Sequence, residues 1–406
     1  MICYVPGLDQ RRLSPELTPN TCSIRETFPA VDLKTIPTTE LVPTMITGVL
    51  PHQHQVWQVS LRPEYRTPSR LTLADHVPDL LTTTIQCARH LADRSYDLAA
   101  LPYRRRRRFH LHRFKYTRRE AEPECMQSFG GFQTIFGVLG DRSQYVFTKN
   151  FGDLNSLAQS LPASDHLLSL VEMYALDLLQ HWHLDNPAVM ADALRRTDEF
   201  IGRLIEGCDR TGKRLVLLVD HGQEPVTGTI PLIQSVNDAG ISQGEFTFFV
   251  ELASARFWFH TDRARDAILP RLKALADTTV LHYRDMHDIG VCFEDDSFGE
   301  FYAIADAGKI FFPHDFYQPI GNAILGATDR HQRQRFMNPV HRGNHGYLPH
   351  FPSERGWILT TDKELSASVP EGHIVDIAPT LLSLAGAQPP PHMSGRTLFH
   401  PASDPA

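Results

Sequence analysis

The sequence contains no run approaching the roughly 20 consecutive apolar residues that a membrane-spanning helix requires, so no segment reads as a bilayer span. Cysteine is scarce: Cys3, Cys22, Cys87, Cys125, Cys208 and Cys292 are scattered over 406 residues without a CxxC pair. That distribution excludes a thiolate zinc knot and a small disulfide-stapled domain, and reads as reduced thiols. An excess of positive charge is missing too. The formal net charge of −7 argues against a general nucleic-acid binder. The opening Met1-Ile-Cys-Tyr-Val-Pro-Gly7 lacks a basic leader and a long apolar core, so it does not read as a signal peptide. The expectations are a cytoplasmic location and no membrane partner. Internal repeats and long low-complexity tracts are also absent.

What remains is a globular composition, 42% hydrophobic and 21% charged, in a chain long enough for a large core and more than one structural unit. Short apolar runs alternate with helical patterns, which predicts an α/β fold with a largely parallel sheet flanked by helices. Ile2–Val5 reads as a first strand ended by Pro6-Gly7. Arg214–Val219 is an apolar run that empties into Asp220-His221-Gly222, the pattern of a buried central strand feeding a polar loop. Upstream, Met190, Leu194, Thr197, Ile201, Leu204 and Cys208 recur at helical spacing, which core packing explains. Asp376 precedes a helix over Ile377–Ala385 that Gly386 ends. Two stretches interrupt the pattern. Residues 57–165 read as a basic cap or lid. Residues 223–335, with strand-like runs at Glu245–Leu252, Arg256–His260, Val280–Tyr283 and Phe301–Ala305 and a helix at Arg263–Ala276, read as an inserted small α/β subdomain. That leaves 1–56, 166–222 and 336–406 for the core.

With 21 histidines, a single one near an acid proves little. Asp177-Leu-Leu-Gln-His181 sets a carboxylate and an imidazole four apart, which share a face on a helix and can converge at a strand-to-loop exit. Asp220-His221 leaves a strand end, where ligands collect in open α/β sheets. In Arg342-Gly-Asn-His345-Gly-Tyr347 the flanking glycines free the backbone to turn the imidazole. Mixed His/Asp ligation suits zinc, manganese or iron, and the residues alone do not choose among them. Thr38, within Ile36-Pro-Thr-Thr-Glu40, is a poor nucleophile until a metal holds its oxygen; taken alone, it reads as part of a threonine-rich turn.

In combination and order, Thr38, Thr47-Gly48, Pro51-x-x-His54, Asp177-x-x-x-His181, Asp220-His221-Gly222 and Gly343-Asn-His345-Gly-Tyr347 resemble the alkaline phosphatase superfamily, in its type I phosphodiesterase/nucleotide pyrophosphatase branch. The resemblance spans nearly the whole chain. It implies an alkaline-phosphatase-like core with a cap and an inserted subdomain. It also implies two divalent ions, zinc first, with Asp177, His181 and His345 on one and Asp220, His221 and the Thr38 oxygen on the other. Thr38 is then the nucleophile of a two-step hydrolysis of a small anionic phosphate ester, with Thr39 as the fallback one residue on. His54 matches a family position read as structural support.

The sequence departs from this pattern in two places. The family's first strand ends in a ligating aspartate, where this chain has Pro6, which has no donor side chain. Asp9 is the favoured substitute ligand, with Asp32 the other candidate. A site with one metal, or a metal-binding relic without catalysis, stays open, as does phosphoryl-type transfer in place of hydrolysis. Gln55 stands where the family usually has glycine. Finally, Arg104–Arg108 and the basic residues through Arg119, interleaved with Phe109, Phe114 and Tyr116, read either as a solvated surface or as a lid steering an anion. Nucleic acid is the least favoured partner.

Overall fold

Val216–Val219 is buried along its whole length, and its four residues form the central strand of a seven-stranded sheet. In the computed structural model that sheet runs Glu371–His373, Ala30–Lys34, Arg355–Thr360, Val216–Val219, Ile2–Tyr4, Leu168–Met173 and Ser143–Thr148. The structure describes residues 1–38, 40–57, 61–63, 79–93, 109–111, 126–242 and 244–402. All neighbouring strands are parallel except Arg355–Thr360, which is antiparallel to both of its neighbours. Tyr4 stands level with Glu172 on one side and Leu218 on the other, which fixes the register at the middle of the sheet. The largely parallel, helix-flanked sheet expected from sequence is therefore present.

The helix Pro187–Thr211 follows from its stop and start signals. The Asn186 side chain accepts from Val189 N, Pro187 occupies the first turn, and Gly212 at φ +66° ends it. Its stripe of Met190, Leu194, Phe200, Ile201, Leu204 and Cys208 joins Cys3, Val5, Val171, Leu217 and Val219 in one core. Among the described residues no helix is long and apolar enough to cross a membrane. Cys3, Cys22, Cys87, Cys208 and Cys292 are free thiols; Cys125 lies outside the described residues.

The chain divides into two compact units. The first comprises Met1–Val59, Arg113–Glu224 and Leu348–Ala406 and carries the seven-stranded sheet; the second comprises Ser60–His112 and Pro225–Tyr347. The second holds an antiparallel sheet in the order Phe246–Val250, Ser254–Phe259, Phe301–Ala305, Thr278–His282. Its helix Asp262–Lys273 is capped by the Thr261 hydroxyl and buries Ala264, Ile268 and Leu272. These elements match the runs expected between 223 and 335.

The unit boundaries differ from those expected. Within 57–165, the strand Ser143–Thr148 belongs to the edge of the main sheet, and residues 336–347 belong to the second unit. An edge strand beginning Ser143-Gln144 is only half-buried, so it lacks the apolar run that announces a central strand. Of the basic tract, Phe109–Leu111 forms a strand paired antiparallel with Leu61–Pro63; residues 104–108 and 112–119 lie outside the described residues.

Candidate functional site

Four strands of the main sheet point the same way, and their carboxyl ends lead into Val5–Asp9, Thr35–Thr38, Tyr174–Asp177 and Asp220-His221. This edge is where an open α/β sheet collects ligands.

Asp177 and His181 lie one turn apart on the helix Ala175–His183, with His181 Nε2 3.5 Å from Asp177 Oδ2. Gln223 Nε2 donates to Asp177 Oδ1 at 2.6 Å and to its backbone carbonyl at 3.0 Å. Asp220 and His221 follow the central strand directly. The Tyr4 hydroxyl donates to Asp220 Oδ2 at 2.6 Å, and the His221 backbone N–H donates to Oδ1 at 2.9 Å. His221 Nδ1 donates to the Gly222 carbonyl at 2.9 Å, so the proton sits on Nδ1 and Nε2 carries the lone pair. That Nε2 lies 3.4 Å from Asp220 Oδ2. A ligand atom of Asp177 and one of His221 come within 4.8 Å of each other. The structure thus brings Asp177, His181, Asp220 and His221 into one buried cluster.

Burial raises the Asp220 carboxyl above the ordinary carboxylate range, although His221 and the Tyr4 hydrogen bond pull the other way. For His221, burial disfavours the imidazolium. The carboxylates of Asp220, Asp177 and Glu354 outweigh it and raise the imidazole above its usual value. Such a concentration of buried negative charge favours a cation.

The other expected residues are placed as follows. Thr38 is buried at the same sheet edge; its hydroxyl oxygen accepts from Glu40 N at 3.1 Å, and the next helix begins only at Val42. Thr39 lies outside the described residues. His54 Nδ1 accepts from Val56 N at 3.1 Å, so its Nε2–H donates to the Thr44 hydroxyl at 2.9 Å. Asp9 packs so closely under Gly222 that a Cβ there would fall 2.3 Å from Asp9 Oδ2. Its oxygens, however, receive Arg11 Nε at 3.0 and 2.9 Å and the Arg11 backbone N–H at 2.9 Å. Asp32 lies within the strand Ala30–Lys34 and pairs with Arg25 at 3.3 Å. In the second unit, His345 is buried just after the strand Gly343–Asn344; its carbonyl accepts from Asn344 Nδ2 at 2.9 Å, and Gly346 follows at φ +84°.

The residues of the first unit fit a divalent ion. Two buried amide oxygens, Gln180 Oε1 and Gln223 Oε1, have no hydrogen-bond donor among the described residues. A Cβ on Gly7 would meet Gln180 Oε1 at 2.6 Å and Asp177 Oδ1 at 3.3 Å, so the missing side chain lets these two oxygens approach the backbone. Carboxylate, imidazole and amide oxygen together suit a borderline-hard cation. Sequence reasoning missed Tyr4, Gln180 and Gln223. The available signals were the position of Gln223 two residues past His221 and that of Tyr4 two residues before Pro6.

An α/β sheet with buried carboxylates and imidazoles at its carboxyl edge suits a hydrolase, and the family match makes it one that acts on phosphoric ester bonds. The sequence matches the family described as type I phosphodiesterase/nucleotide pyrophosphatase over residues 17–289, and the chain belongs to that family. Among solved structures, it resembles murine ectonucleotide pyrophosphatase/phosphodiesterase 5, with 15% identity, 97% of this chain and 96% of that one covered, and a TM-score of 0.61. An inactive variant of the murine protein in complex with AMP gives 14% identity, the same 97% and 96% coverage, and a TM-score of 0.60. The human counterpart gives 15% identity, 97% and 96% coverage, and a TM-score of 0.58. These likenesses establish the fold. None of the curated proteins matches the chain.

Proposed function

We propose that the protein hydrolyses a small phosphodiester or pyrophosphate of the nucleotide type, with Thr38 as nucleophile and divalent metal held at the Asp177–His181–Asp220–His221 cluster. The observation that carries this reading is the approach of Asp177 to His221 within one buried cluster that also holds His181 and Asp220. His345 enters on its Gly-Asn-His-Gly motif, and the two-ion arrangement on the family resemblance. Asp9 is left out, because a cation at its oxygens would face the Arg11 guanidinium. The AMP bound by the murine relative's inactive variant suggests the substrate class. A cytoplasmic location fits the free thiols.

When bound, a divalent ion lowers the pKa of a ligated hydroxyl and neutralises charge on phosphoryl oxygens. Thr38 Oγ forms a bond to phosphorus as the bond to the leaving alkoxide or phosphate breaks; the threonine proton goes to solvent. The leaving group takes its proton from solvent, and water then attacks the phosphodiester left on threonine, releasing a phosphate monoester and regenerating the hydroxyl. His181 Nε2, 3.5 Å from Asp177 Oδ2, would share the ion with that carboxylate.

The test is turnover of an activated aryl phosphodiester by metal-loaded protein. Thr38→Ala should remove it while metal content stays unchanged. A metal-loaded wild type without turnover on any phosphodiester or pyrophosphate sinks the proposal and leaves the binding-only reading that Pro6 favours.

A further inference from the structure

We infer that Tyr4 and Gln223 are positioning residues for the metal site, each holding one ligand carboxylate by a short hydrogen bond. The inference rests on the metal-dependent reading above. No motif assigns either residue.

The physical argument begins at Pro6. Without a carboxylate at the end of the first strand, the aspartates of the cluster in the main-sheet unit are Asp177 and Asp220, and their orientation bears on whether an ion is held. A buried carboxylate has free χ2 rotation unless its oxygens are engaged. Asp220 is engaged at both: the His221 N–H takes Oδ1 and the Tyr4 hydroxyl takes Oδ2. Tyr4 is the last residue of the first strand, two residues before Pro6. The first strand therefore still reaches Asp220, through a neutral donor in place of an acid.

Gln223 does the same for Asp177. Its carboxamide spans Oδ1 at 2.6 Å and the Asp177 carbonyl at 3.0 Å, so it fixes side chain and backbone together. The second oxygen faces His181 Nε2 at 3.5 Å. Gln223 is fully buried, and among the described residues its own Oε1 has no donor. Groups of this kind behind a ligand change metal affinity by roughly 10–100-fold when removed.

The test uses the full chain and zinc alone, in competition with a chromophoric chelator. Tyr4→Phe and Gln223→Met keep volume and apolar shape while removing the donor. Each should weaken zinc about 10–100-fold, and saturating zinc should restore kcat to near the wild-type value. Gln223→Glu reverses the donor at the same size and separates loss of the hydrogen bond from loss of packing. Its altered zinc affinity with an unchanged melting temperature of the metal-free protein supports positioning. Variants that melt earlier but bind zinc as tightly as wild type overturn the inference and leave the metal-dependent reading standing. A wild type that holds no zinc overturns both.

Discussion

Arg11 closes on Asp9, its Nε lying 3.0 and 2.9 Å from the two carboxylate oxygens, while its other end reaches Glu224 at 2.6 Å. Asp9 is buried and Arg11 about a third exposed, with side-chain exposures of 3% and 37%. The pair therefore ties the loop after the first strand to the segment beyond His221. Losing one partner leaves a buried group without its counter-charge. Asp9→Asn should destabilise the protein by about 1–3 kcal/mol in urea unfolding, below the full buried-pair penalty because Arg11 is partly solvated. Zinc affinity should stay within about threefold if Asp9 is structural. A loss of bound zinc in Asp9→Asn would restore Asp9 as a ligand.

Asp198 offers a second test of a buried acid that has no part in catalysis. Its oxygens accept from Thr21 N at 2.8 Å, Thr21 Oγ1 at 2.7 Å, Asn20 N at 3.0 Å and Asn20 Nδ2 at 3.0 Å. One helix thus caps the first turn of another, Pro19–Thr27, whose own Thr18 makes no side-chain cap. Asp198→Ala strands these donors and should cost about 2–4 kcal/mol. Unchanged thermal unfolding would show that the contact contributes nothing.

Gln55 sits at φ +63° after the short helix Pro51–His54. A side chain in the left-handed region costs about 1–2 kcal/mol, partly offset by the entropy that glycine loses on folding. Gln55→Gly should therefore stabilise by about 0.5–1 kcal/mol, read as a raised melting temperature. A lowered melting temperature would mean that the Gln55 side-chain bond to the His52 carbonyl outweighs the backbone strain.

What could be read from sequence depended on whether the cause was local. Val216–Val219 and the Asp220-His221 exit are legible because a strand buried on both faces must be apolar throughout. Asp177 and His181 are legible because helical spacing alone puts them together. Tyr4 and Gln223 are not, since their bonds to Asp220 and Asp177 join residues 216 and 46 apart, and no periodicity records such a pairing. From sequence Asp9 reads as a candidate ligand, because nothing in the spacing shows that Arg11 folds back onto it. The strand Ser143–Thr148 was hidden by its place at the sheet edge, where polar residues cost little.

His54 predicts the sign of a pH dependence. Burial, set against its backbone bond, holds its imidazole down to about 3, and the ring stays neutral, accepting from Val56 N and donating to Thr44. The unfolded chain binds that proton near the ordinary histidine value of about 6.5. Between those two values the unfolded state carries more protons than the folded one, so stability is fully present above about pH 6.5 and declines as pH falls toward 3. His314, buried in the second unit and facing the charge of Arg335, is likewise held down to about 3 and adds a loss of the same sign there. Unfolding midpoints measured from pH 7 to pH 4 should fall steadily, and His54→Gln, less stable at pH 7, should show a shallower slope for the main-sheet unit. Parallel slopes in wild type and variant would mean that His54 takes up its proton in the folded state as readily as in the unfolded one.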